Sequence, residues 1–142
     1  MKQDPFGNLT DWGTVLDLFE ELGDNGTLSE CQPGLVRILR YKGNWRLREE
    51  ALKRIGEIQN PSDELISQVM TILADDNIYY DVRILAGEAL TRILRNIDND
   101  YSDKISMDVR KITEKLRSTP QPPLFENALR HLYSEATHPE VM

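Results

Sequence analysis

Apolar residues recur along this chain at spacings of three and four, the period that gathers them on one face of a helix. No stretch alternates as a half-buried strand does. Val15, Leu18, Phe19 and Leu22 follow Thr10 and Asp11, either of which can cap a first helix, and Gly23 is placed at its end. A second helix is expected from near Ser29, with Pro33 in its first turn, through Leu35, Val36, Ile38 and Leu39 to the break Lys42-Gly43-Asn44. A third runs from about Trp45 to Ile58 on Leu47, Ala51 and Ile55. Asn60-Pro61 stops the chain and Ser62 caps a fourth, built on Leu65, Ile66, Val69, Met70 and Leu73. The fifth uses Val82, Ala86, Ala89, Leu90, Ile93 and Leu94 and is closed by Asp98-Asn99-Asp100. Ser102 opens a sixth on Ile105, Val109, Ile112 and Leu116. After the proline-rich break at 119–123, a seventh presents Leu124, Ala128, Leu129 and Leu132. Short turns between seven helices predict an all-α stack of antiparallel helices. From His138 onward the chain reads as a frayed tail.

Two parts of this pattern echo each other at an offset of 35 residues. Leu47, Arg48, Ala51 and Ile55 are matched by Val82, Arg83, Ala86 and Leu90. The same offset pairs Leu35 with Met70, Ile38 with Leu73, Trp45 with Tyr80 and Ile58 with Ile93. A repeat of this size is one helix–turn–helix unit, which cannot bury its apolar face alone and stacks on its neighbours. A single domain over 1–142 follows, with clean repeats at 35–60 and 65–97. Worn pairs at 10–41 and 102–136 cap it, and 137–142 form the tail. Ala51 and Ala86 stand where a short side chain lets neighbouring helices approach.

An aliphatic–Arg pair opening the second helix of a unit, with Ala three residues after the Arg, resembles the HEAT-like repeats of bacterial scaffolds and phycobilin lyase subunits. The carriers are Leu47-Arg48 with Ala51, and Asp81-Val82-Arg83 with Ala86, Glu88, Ala89 and Leu90. The resemblance covers residues 35–97. In the last pair Phe125 stands where Arg is expected. The Leu-Gly and Tyr signature of tetratricopeptide repeats is missing. The resemblance implies an α–α superhelix (an armadillo-type fold) whose second helices line a concave side. It also implies that Arg48 and Arg83 sit between layers and bond to carbonyls or acids of adjacent turns. It brings a second functional class into view, a subunit acting on a bilin-like chromophore.

Charge narrows the partners. The chain carries a net charge of −7, and residues 1–34 hold seven acids against one Lys, whereas residues 35–60 hold seven bases against three acids. An acidic whole disfavours nucleic acid, since phosphate contacts need a basic stripe. The basic block is interleaved with Glu49, Glu50 and Glu57, which reads as helix-surface pairing. One cysteine, Cys31, excludes an internal disulfide, and a cytoplasmic location is expected for a chain whose start lacks a basic-then-apolar leader and which has no apolar run of membrane-spanning length. No Walker A loop, dinucleotide glycine fingerprint or nucleophile elbow is found, and His131 and His138 are too far apart to make a helical metal pair. Residues 17–32 mimic a calcium loop. With Gly26 at its sharp turn, however, Gly23 stands at the third ligand position and Gln32 at the twelfth, so no metal and no cofactor are expected.

Two surfaces remain as candidates for a non-catalytic adaptor that binds protein, with a basic partner favoured by charge. If the repeat register holds, the concave face offers Glu49 and Lys53, then Glu88, Arg92 and Arg95, then Asn127, Arg130 and His131. This is a polar mixture of both signs, and its bland counterpart is a solvated helix face. Trp45, Tyr79 and Tyr80 stand at helix starts. They are either staples covering those starts or an aromatic ridge along one edge.

Overall fold

The computed structural model describes residues 4–96 and 99–137, without the side chains of 99–102. Asp98 and His138, singled out above, lie outside the described residues. Every regular element among the described residues is helical: α1 (Trp12–Asn25), α2 (Gln32–Arg40), α3 (Trp45–Ile55), α4 (Asp63–Ala74), α5 (Tyr80–Asn96), α6 (Asn99–Arg117) and α7 (Pro123–Thr137), with one 3₁₀ turn at Leu28–Cys31. Two starts are held by capping side chains. The Asn44 side-chain oxygen accepts the Arg46 N–H at 2.9 Å and the Ser62 hydroxyl accepts the Leu65 N–H at 3.1 Å. At α1 the cap residue is Asp11, but its carboxylate accepts the Thr14 hydroxyl and makes no bond to the helix backbone.

The helices form two layers. Helices α2 and α3, α4 and α5, and α6 and α7 pack as antiparallel hairpins, while α1, α3, α5 and α7 lie side by side in one layer and α2, α4 and α6 in the other. Hydrogen bonds fix the directions. Near the ends of α3 and α5, Arg92 donates to the Lys53 carbonyl and Asn96 to the Gly56 carbonyl. Arg95 pairs with Glu135 near the ends of α5 and α7. Rings of Tyr80 and Phe125 meet at their starts, with centroids 5.2 Å apart. Arg46 over the Trp12 ring at the starts of α3 and α1, and Arg54 against Gly23 towards their ends, orient α1 likewise. So α1, α3, α5 and α7 are parallel, and their four N-termini share one edge. One apolar core runs between the layers, with Leu47, Ala51, Ile55, Ala86, Leu90 and Leu129 fully enclosed.

Several boundaries differ from the sequence reading, each for a local reason. Helix α1 does not stop at Gly23 but continues to Asn25, where Gly26 takes the left-handed turn (φ 70°) and sends its N–H to the Gly23 carbonyl. Gly23 lies inside the helix with the Arg54 guanidinium resting against it. The expected start near Ser29 is the 3₁₀ turn, with α2 proper beginning at Gln32 and Pro33 in its first turn. Helix α3 ends at Ile55, yet Ile58 beyond it is still buried. Helix α6 begins at Asn99, ahead of the expected Ser102. Residues 10–41 are not a helix pair either: α1 lies on α3, and α2 pairs with α3.

The N-terminal segment closes this end of the stack. Phe6 and Leu9 are buried, the Phe6 ring meets Phe19 at 5.1 Å, and Asp4 is held in a two-pronged pair by Arg37 at 2.6 and 2.8 Å. Gly34 has no side chain because the Phe6 ring and the Asp4 carboxylate occupy the space above it.

Candidate interaction surface

The repeat is visible in how each first helix is finished. A helix leaves its last carbonyls without partners. The penultimate residues of α2, α4 and α6 are Leu39, Leu73 and Leu116, and in each the carbonyl accepts a side-chain donor: Arg48 Nε at 3.0 Å, Arg83 Nε at 3.0 Å and Gln121 Nε2 at 2.7 Å. Arg48 and Arg83 therefore tie each second helix to the first helix of its own hairpin. The third hairpin is built differently from the sequence reading. Glu126 stands ten residues after Leu116, as Arg83 stands ten after Leu73, so Glu126 occupies the arginine position and Phe125 that of Val82. Polarity reverses there: Arg117 at the end of α6 reaches the Glu126 carboxylate at 3.2 Å.

These carbonyls also correct the pairing of the first helices. Leu39 matches Leu73 and not Ala74, an offset of 34, because the turn before α5 is one residue longer than that before α3. Leu35 then matches the buried Val69 in place of the half-buried Met70, and Ile38 matches Ile72 in place of Leu73, both of which are buried.

Arg83 is only 2% exposed, with its guanidinium 4.5 Å from the Phe125 ring centroid and 5.1 Å from that of Tyr80. Arg48 is partly exposed, and burial pulls its guanidinium below the usual value while the Asp75 carboxylate pushes back. Both arginines are spent on the scaffold. Cys31 is buried too. Desolvation, then the charges of Glu30 and Asp4, push its thiol up, which makes it a poor nucleophile.

On the outer face of the α1–α3–α5–α7 layer, the residues expected on a concave face are only partly gathered. Glu88, Arg92 and Arg95 of α5 face Asn127 and His131 of α7 across a groove of about 490 Å³, completed by Ile84, Thr91, Leu124 and Ala128. Lys53 and Arg130 are exposed and Glu49 half-buried, but none of the three lines that groove. Its cations are engaged by the fold, Arg92 with the Lys53 carbonyl at 3.1 Å and Arg95 with Glu135 at 2.7 Å. The groove is thus apolar at its upper end, near Ile84 and Leu124, and polar at its lower end.

The shared N-terminal edge of this layer is different in character. Among the described residues six large apolar side chains are exposed, and five of them stand at that edge. Trp12, Trp45 and Tyr80 are the first residues of α1, α3 and α5, Tyr79 precedes α5, and Leu124 is the second residue of α7. The sixth, Met107, is on α6 in the other layer. Tyr79 is 77% exposed, Leu124 70% and Trp45 54%, whereas Tyr80 is 42% exposed and packs on Phe125 of α7. Trp12, Ile84 and Leu124 are surface members that the sequence reading missed. The available signal was a large apolar residue opening successive odd-numbered helices.

Among the described residues no three His, Cys, Asp or Glu gather as a metal site, and no helix is long and apolar enough to cross a membrane. No protein-family model, curated protein or solved structure matches this chain.

Proposed function

We propose that this chain is a HEAT-like helical-repeat adaptor that binds a protein partner without catalysis, through the N-terminal edge of its second-helix layer. The observation that carries the reading is the collection of exposed apolar side chains there. Scattered surface apolar residues are ordinary, but five in a row on one edge mark an interaction surface. Trp and Tyr are the residues that dominate binding energy when a partner desolvates them. The matched arginine-to-carbonyl bonds of the first two hairpins support the HEAT-like assignment. The non-catalytic reading draws on the same economy, since both arginines of the α5–α7 groove are occupied in holding helices together. A cytoplasmic location belongs to the proposal as well, in keeping with a lone buried cysteine.

Affinity capture from the native host, followed by titration of the purified partner, tests this. The parent chain is expected to retain one partner and the Tyr79→Ala/Leu124→Ala chain to lose it while staying folded. Equal retention by the variant, or no partner at all, would refute the reading.

A further inference from the structure

We propose that the N-terminal edge takes a cationic segment of the partner, with Arg or Lys side chains laid on its exposed rings and paired with the acids between them. The inference rests on the adaptor reading and adds the chemistry of the occupant. Two rings of the edge already hold cations from this chain: Arg46 lies 6.0 Å from the Trp12 centroid and Arg83 5.1 Å from that of Tyr80. Trp45 and Tyr79 offer the same aromatic faces to solvent, and among the described residues no cation covers them. Acids alternate with these rings. Glu49 lies one turn beyond Trp45, and Asp76 and Asp81 flank the Tyr79–Tyr80 pair. Among the described residues none of these three acids is in an ion pair; of the nearby bases Arg46 is stacked on Trp12, Arg48 donates to the Leu39 carbonyl, and Lys42 stands exposed before Trp45.

Around Tyr79 and Tyr80, where Asp75, Asp76 and Asp81 gather, the edge therefore presents negative charge and π faces together, the combination that attracts a guanidinium or ammonium group. An acidic segment or a phosphate backbone would meet these acids. A second copy of the same edge would set like charges against one another. Helices in contact lie 8–10 Å apart, so the four starts span about 25–30 Å, the length of roughly eight or nine residues of extended chain. In such a segment alternate side chains face the edge, so every second residue is the one selected.

Fluorescence anisotropy of the full chain with a labelled peptide of about nine residues alternating Arg with Ser, at about 150 mM salt, tests this; a Glu–Ser peptide is the control. The Arg–Ser peptide is expected to bind and the Glu–Ser peptide not. Trp45→Ala/Tyr79→Ala should weaken binding roughly tenfold. Asp76→Asn/Asp81→Asn, which leaves the core untouched, should weaken it about fivefold. Neutralising Asp17 and Glu20 on α1, away from the edge, should change it less than about threefold. Absence of Arg–Ser binding, unchanged affinity in the ring and acid variants, or a loss that follows the α1 acids would each overturn the inference. Should the chain capture a partner through Tyr79 and Leu124 yet ignore the Arg–Ser peptide, the adaptor reading survives and the cationic occupant does not.

Discussion

Arg83 and Arg48 make the same bond from the same repeat position, but in different surroundings. Arg83 is enclosed between two rings, so Arg83→Ala leaves the Leu73 carbonyl short of a partner, opens a cavity and strips a cation from Tyr80 and Phe125. A loss of about 3–5 kcal/mol is expected in denaturant melts. Arg48→Ala should cost roughly 1–2 kcal/mol, because Arg48 is partly exposed and water can reach the carbonyl it leaves. Arg83→Lys should recover less than half of the loss, since an ammonium lacks the flat guanidinium face. Asp4 is a second residue whose contribution can be read from its partner. The Arg37 hydrogen bonds hold its carboxyl below the usual aspartate value of 3.8, outweighing desolvation. A lowered native value means the stabilisation is complete above the ordinary aspartate range and is lost as pH falls through the native one. Asp4→Asn should therefore lower stability at neutral pH, by about 1 kcal/mol or less given how exposed the pair is. Measured against the parent, that difference should close at acid pH.

At the scale of elements, close approach decides the sign of two substitutions. Gly34→Ala would gain up to about 1 kcal/mol from helix propensity on an open surface. Its Cβ would instead sit 2.7 Å from the Phe6 ring, and overpacking of that kind costs about 1–3 kcal/mol, so a net loss is expected in thermal melts. Ala86→Leu at the fully buried seam between α5 and its neighbours should also cost roughly 1–3 kcal/mol. An unchanged midpoint would contradict the stacking described here. The existence of each helix was legible because apolar spacing of three and four needs no tertiary information. The end of α1 was not, since Gly23 and Gly26 are equally able to terminate a helix on sequence alone and only the backbone shows that Gly26 takes the left-handed turn. The first-helix register slipped by one because a single added residue in the turn before α5 leaves the apolar spacing almost unchanged. In the third hairpin the job of arginine passes to Gln121, a different residue type at a different position, so no repeat alignment shows it.

For the whole molecule, the stack converts a sequence detail into a surface. A large apolar residue at the start of a helix is unremarkable alone. Four parallel helices in one layer bring Trp12, Trp45, Tyr79, Tyr80 and Leu124 to one edge, and only the layer order makes them neighbours. Of the polar face expected from the repeat, Glu88, Arg92, Arg95, Asn127 and His131 line one groove, while Glu49, Lys53 and Arg130 do not. The groove between α5 and α7 and the place of Leu124 at its upper end were not legible in the sequence, because the longer α6 and the loss of the arginine at Glu126 hide how α7 aligns with α5. If the proposed partner is basic, the acids concentrated in residues 1–34 would raise its encounter rate more than its affinity. The central claim is that the edge is kept apolar for a partner and not for folding. The most direct test is the melting midpoint of the Tyr79→Ala/Leu124→Ala chain, alone and with the purified partner. Alone it should melt within about 3 °C of the parent, as expected for a loss under about 1 kcal/mol, and the partner should raise the midpoint of the parent only. A fall of about 10 °C in the free variant, or a partner-induced rise equal to that of the parent, would contradict the claim.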